Sequence, residues 1–381
     1  MRAGVLQQAS LNNYVRIATF FQNAGISVVA IFMPLIVKGA TPSVLEVGLV
    51  LSSFAVAQII SEIYFGRISD RRGARLLFIR AGFVLCAVTF GLHYFADSVP
   101  LLLAARIAAG VASGIMIPAM MAYAYESGKE KRKVASVVSF HALGWLAGIA
   151  AAGLANDTSI IFLISAGVFI AGLAVTSKLP DIHVPKDTAR GTTMRIISQS
   201  RFLFLSLLLR HVGAVSVWTV LPLMIVEDFG GEIYHVSAVY MGNTATAFVI
   251  MTLMATRIRM HNVTKFKAGV GVTIFVFVGM LFVTEWWHFF PLMVLVGGTW
   301  AFLYIGGNFH LMEHHPKSTS TGIFSSTLSI SMVAGPVAAG AIADSYGYGA
   351  VLYFAIAISL AAFATSTRIP LRPASRGPSA A

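Results

Sequence analysis

Arg106, Arg210, His141, His211 and Glu62 are ionisable side chains set inside long apolar runs. A charge in such a place is costly: an arginine at the centre of a membrane helix costs about 2.5–3.5 kcal/mol on insertion scales. Side chains kept at that cost bind charged solutes, relay protons or line a path. Arg106 and Arg210 offer fixed positive charge. Imidazole in water titrates near neutrality, so His141 and His211 suit a proton relay, and Glu62 offers a carboxylate for the same task. Asn23, Trp218, Trp300, Tyr304 and Asn308 add amide and aromatic surfaces at similar depth. Each taken alone also reads as packing, since a lone histidine or tryptophan is usually a satisfied core group.

The elements that must position these groups follow from composition. The chain has 381 residues, 57% hydrophobic and 11% charged, with a mean hydropathy of +0.80. Soluble domains carry roughly 25% charged residues, so an all-α integral membrane protein is expected. The net charge of +12 falls in short segments between apolar runs, which fits membrane topology and not nucleic-acid binding. Cys86 is the single cysteine, so no intrachain disulfide can form. The first run is too long for a signal peptide and lacks a cleavage site after it.

A span needs about 20 apolar residues, and twelve runs qualify: 14–37, 44–65, 76–95, 99–125, 134–155, 160–178, 202–226, 235–258, 266–284, 288–312, 319–343 and 349–367. Residues 1–178 and 202–381 are expected to form two six-helix bundles, joined by a polar, basic linker at 179–201. Of the 27 Lys and Arg, Lys38 falls on the side opposite the second-to-third connection, Arg80, Arg106 and Arg210 lie deeper inside runs, and the remaining twenty-three, in connections, tails or the outermost residues of runs, share that connection's side. Both termini are therefore expected in the cytoplasm.

The halves repeat. Gly25 to Pro34 in run 1 matches Gly213 to Pro222 in run 7, offset by 188 residues. Gly148…Gly153…Asp157 in run 5 matches Gly335…Gly340…Asp344 in run 11, offset by 187. Gln22 and Asn23 correspond to Arg210 and His211.

The second-to-third connection reads Gly66-Arg-Ile-Ser-Asp-Arg-Arg-Gly-Ala-Arg75, a basic ten-residue loop on this reading. It resembles the signature of the major facilitator superfamily, with Gly66, Ile68, Ser69, Asp70, Arg71, Gly73 and Arg75 in matching places and Ala74 where a basic residue usually stands. Arg106, Gly110 and Gly114 resemble a second pattern of that superfamily, with Ala109 replacing its frequent glutamine. Gly144, Gly148 and Gly153 resemble its antiporter signature, although Ile149 replaces a proline. The resemblance spans 14–367 and is most like the drug/metabolite exporter branch. It implies twelve transmembrane helices in two pseudo-symmetric bundles, with substrate at their interface near mid-membrane.

The resemblance implies gating by Gly66, Asp70, Arg71, Gly73 and Arg75, joined by Glu126 at the end of run 4. It also implies that Asp70 meets the start of run 11 when the cytoplasmic side closes, where Ser318, Thr319 and Ser320 are available as caps. The expected function is alternating-access movement of a small organic solute, outward in the sense of efflux, with protons as the candidate coupling ion. Organic-anion uptake, and a non-transporting sensor or lipid-handling role, are the alternatives. Runs 1, 4, 7 and 10 carry no Asp or Glu before Glu126 and Glu313 at their ends, so a neutral or anionic solute is favoured. His310 and Glu313-His314-His315 read as a solvated cluster; no metal or cofactor is expected. No enzymatic motif appears. The expected partners are the solute and the bilayer, and the expected form is a monomer in the plasma (inner) membrane.

Overall fold

The computed structural model describes residues 2–127, 131–181, 193–256 and 260–370. Among these the chain is helical throughout, with no strand. The first group holds α1 (Arg2–Ala30), α2 (Met33–Ala40), α3 (Val44–Arg72), α4 (Arg75–Leu92), α5 (Val99–Ser127), α6 (Lys131–Ala155) and α7 (Ile160–Thr176). After α8 (Thr193–Gln199), the second group holds α9 (Arg201–Leu223), α10 (Ile233–Thr256), α11 (Asn262–Met280), α12 (Phe289–His314), α13 (Lys317–Tyr346) and α14 (Tyr348–Thr367). Ten stretches of the described residues are long and apolar enough to cross a membrane, and shorter apolar helices at Phe140–Ala155 and Ile160–Thr176 occupy the two other expected places. Helices suit this setting because they satisfy every backbone group internally.

The repeated prolines shape the repeated helices. The first run breaks at Ile31–Phe32, between α1 and α2, with Pro34 in the first turn of α2. In the seventh run Pro222 lies inside α9, which loosens into a π turn over Met224–Asp228. Proline removes an amide donor and crowds the preceding turn, and a wider turn absorbs the mismatch.

The loop expected at Gly66–Arg75 is corrected. Helix α3 continues to Arg72, and Gly73 and Ala74 alone form the turn. Gly73 takes φ 65°, and its N–H donates to the Ser69 carbonyl at 2.9 Å. Arginines at a helix C-terminus favour the dipole and glycine is suited to the left-handed cap, so the basic motif extends the helix. α13 begins at Lys317, directly after Pro316, which stands at its N-cap and supplies no side-chain bond.

The expected linker contains α8, whose Ile196 is buried with Leu203, Phe204, Leu311 and Phe324. The larger apolar core joins the first group to the ends of the second group that lie away from Asp70. Between the groups, α3 packs on α13 and α6 packs on α10.

Candidate functional site

Residues Trp300, Tyr304 and Asn308 are spaced by four on α12, so they share one face of that helix. Across from them on α9 stand His211 and Trp218. The His211 ring stacks on Trp300 at 5.3 Å and meets Trp218 edge-on at 5.4 Å. Trp300 lies 5.3 Å from Tyr304, which meets Phe324 of α13 edge-on at 5.6 Å. The result is a continuous aromatic wall from α9 through α12 to α13. Three polar atoms along it are left over: His211 Nδ1, Trp218 Nε1 and Asn308 Oδ1 are buried and have no hydrogen-bond partner among the described residues. Buried polar groups are nearly always paired, so such leftovers mark a place where another molecule can bond.

Arg210 sits beside this wall but turns into the second group. It is fully buried, with Nε donating to Thr273 Oγ1 and Nη2 to Thr299 Oγ1, both at 3.1 Å. Its Nη1 has no partner. The two threonines hold the fork in place and leave one N–H edge for an incoming acceptor.

In the first group, Asn23 is engaged twice. Its Nδ2 donates to the Thr19 carbonyl at 2.8 Å, and its Oδ1 accepts from Trp145 Nε1 at 3.3 Å. The neighbouring Gln22 Oε1 and Thr19 Oγ1 are buried without partners. His141, on α6, is exposed. The Arg106 guanidinium lies 4.1 Å over the Phe54 ring and is buried, with Nε unpaired. Gly110 and Gly114 on the same face serve close packing: a methyl there would stand 2.4 Å from the Phe54 carbonyl oxygen and 2.6 Å from that of Gln58.

The signature residues gather around Arg75. It pairs with Asp70, donates to Ser69 Oγ at 3.1 Å and grips Glu126 through Nη2 at 2.9 Å and Nε at 3.2 Å. One guanidinium thus ties the end of α3 to the end of α5. The Asp70 side chain is 66% exposed, and Arg71 is exposed beside it. A methyl on Gly66 would stand 3.7 Å from Pro118 Cβ, an ordinary contact. Glu62 accepts a hydrogen bond from Gln58 Nε2 at 2.7 Å.

On the opposite face lies a contact that the sequence reading passed over. The Asp344 carboxylate, near the end of α13, caps the start of α3. It accepts from Ser43 Oγ at 2.7 Å, from the Val44 amide at 2.6 Å and from the Leu45 amide at 3.1 Å. Below it, a methyl on Gly340 would stand 2.6 Å from the Val44 carbonyl oxygen, and one on Gly48 would stand 2.2 Å from that of Pro336. Ser52 Oγ donates to the Val333 carbonyl at 2.8 Å. The partner seam is held by Ser237 Oγ, which donates to the Ile149 carbonyl. All these bonds between the two groups lie away from Asp70, so the described residues close that opposite face. The available signal was the repeat that ends in Asp157 and Asp344.

The family model for the Major Facilitator Superfamily matches residues 16–321. The chain belongs to the major facilitator superfamily. It is 25% identical over 370 residues to "Multidrug resistance protein MdtG" of Proteus mirabilis (strain HI4320), covering 89% of this chain and 90% of that protein. Two crystal structures of nucleoside transporter NupG superpose with TM-scores of 0.81 and 0.74 at 14% and 12% identity. Each covers 94% of this chain, against 100% and 97% of the NupG chains. The human organic anion transporter MFSD10 (TETRAN) gives a TM-score of 0.67 at 14% identity, over 94% of this chain and 99% of its own. This superfamily member is thus a multi-span membrane transporter and not an enzyme, with the twelve-helix fold expected from its sequence.

Proposed function

We propose that this transporter exports a small, flat organic solute, neutral or anionic, by alternating access. The observation that carries the reading is the aromatic wall of His211, Trp218, Trp300 and Tyr304 with its unpaired polar atoms. Aromatic faces hold planar molecules by stacking, and each unpaired donor or acceptor rewards a matching polar group. Gln22 and Thr19 extend the same chemistry to α1. Arg210 adds a cation within the second group, and a cationic solute would be repelled: at an effective dielectric near 20, two charges 4 Å apart interact by about 4 kcal/mol. The outward direction draws on similarity to the multidrug resistance relative.

In this reading residues 1–178 and 202–381 move as two bodies joined by 179–201, within the plasma membrane, with both termini cytoplasmic. Of the linker, residues 182–192 lie outside the described residues. The face sealed by Asp344 is then the outer one, and the Asp70 face opens to the cytoplasm. Protons are the coupling ion, carried by His211 or His141, with Glu62 as the rival carrier; a single chain is the working unit.

The test is flux in proteoliposomes, using aromatic solutes matched in size and differing in charge. Neutral and anionic members should be moved, and Trp300→Ala should reduce their transport about tenfold or more. Arg210→Gln should weaken anions selectively. Transport confined to cations and abolished by Glu62→Gln would overturn the proposal.

A further inference from the structure

At the far end of α12 from the aromatic wall's start, His310, Glu313 and His314 project from the last turns. Their spacing of three and four residues puts all three on one face of the helix. Their ligand atoms lie within 4.8 Å of one another. The His310 and His314 rings stand 4.7 Å apart.

The supporting bonds favour a metal. His314 Nδ1 lies 2.7 Å from the His310 carbonyl oxygen, a contact that requires the proton on Nδ1 and leaves Nε2 with a free lone pair. A ligating histidine is held in this way, by a hydrogen bond through its other nitrogen. Glu313 Oε1 accepts from Asn262 Nδ2 at 2.7 Å, and Asn262 Oδ1 accepts in turn from Lys265 at 3.4 Å. That chain orients the carboxylate and leaves its second oxygen free. His310 Nδ1 is buried and has no hydrogen-bond partner among the described residues. The site also stands at a helix C-terminus, where backbone carbonyls favour a cation.

We propose that His310, Glu313 and His314 bind a divalent transition-metal ion of the zinc class. Two imidazoles and one carboxylate are a borderline ligand set, suited to zinc and its neighbours over magnesium or calcium. Zinc bonds of about 2.0–2.1 Å require ligand atoms roughly 3.3 Å apart in a tetrahedron. The ligand atoms lie within 4.8 Å of one another, so the exposed Glu313 and His314 side chains must shift on binding, and their bonds to Asn262 and the His310 carbonyl adjust with them. A bound ion would lock the end of α12 to the start of α11 through Asn262, and stiffen the turn at His315–Pro316 that leads into α13. His315 is outside the ligand set, because its Nε2 is 3.1 Å from Ser200 Oγ.

The experiment is titration calorimetry with zinc chloride at pH 7.5, on full-length protein purified without a polyhistidine tag. One saturable site per chain is expected, insensitive to millimolar magnesium. His310→Ala and His314→Ala should each weaken it at least tenfold, Glu313→Gln should weaken it less, and His315→Ala should leave it within about twofold. Hydrogen exchange should slow at 312–320 on adding zinc to the wild type. The outcomes that overturn the proposal are no saturable binding, binding that survives in the His310→Ala/His314→Ala double variant, or zinc binding with exchange at 312–320 unchanged. None depends on the solute transported, so failure here is separate from failure of the export reading.

Discussion

Asp157 and Asp344 hold matching places in the two halves, yet their carboxylates serve different helices. Asp157 Oδ1 accepts from the Ser159 and Ile160 amides at 2.7 and 3.2 Å, and so caps the next helix of its own group. Asp344 reaches across to α3. Its interaction with amides and dipole at an exposed site is worth about 1 kcal/mol, or roughly a fivefold change in an open-to-closed ratio. Asp344→Asn should raise the outer-open fraction by about that factor, read as spin-label distances between Gly39→Cys and Tyr346→Cys in a Cys86→Ala background. Asp157→Asn should leave the distances alone; equal effects from both would refute the distinction. Asp70→Asn is the counterpart on the other face. It should bias the carrier toward the inner-open form and slow turnover while the protein still folds, and unchanged transport would count against a gating role.

At the scale of elements, the seams are built from residues that lack side chains. Gly48→Val would drive its side chain into the Pro336 backbone, which cannot step aside. The expected result is a gap on the Asp344 face, seen by the same distances, with a loss in melting temperature. Gly322→Ala, at a position with nothing within 4 Å, should change neither.

Much of this element layout was legible in the residues. Apolar runs twenty residues long leave few other folds, and the repeat that ends at Pro34 and Pro222 marks the places where the first and seventh runs depart from regular α-helix. The reach of α3 to Arg72 was hidden because a charge-rich stretch reads as a loop. It becomes helix through its dipole and the glycine that ends it. The aromatic wall was partly visible, since Trp300, Tyr304 and Asn308 share a helical face. That His211 would stack on Trp300, while Arg210 next to it turned toward Thr273, depends on how α9, packed on α13 and α14, faces α11 and α12. Residues adjacent in sequence point about 100° apart on a helix, and which neighbour each meets is a tertiary fact. The Asp344 contact was out of reach for the same reason: 301 positions separate it from Ser43.

For the whole molecule, the orientation proposed from Lys and Arg makes a direct prediction. In a Cys86→Ala background, Gly39→Cys should react with an impermeant thiol reagent in intact cells, and Ser177→Cys should react only after the membrane is opened. The reverse pattern would invert the protein, and with it the direction of export. Both sites are exposed, so silence at either one reports the membrane barrier and not burial.

The antiparallel pairing of α3 and α13 carries a further consequence. Each helix ends near an aspartate, Asp70 on α3 and Asp344 on α13, and each begins with amides that a carboxylate can hold. Bonded now at Ser43–Val44, the pair meets closely as far down as Ser52 and Val333, which under the alternating access proposed above would make that point a fulcrum. Two stiff rods crossing at a fulcrum come together at one end as they part at the other. Under the proposed alternating access, a carrier built this way would guard against leak with its own geometry: opening toward one compartment would be the motion that shuts out the other. Weakening both aspartates at once should therefore cost speed before it costs insulation, and passive solute leak should stay low as long as the Ser52–Val333 crossing holds.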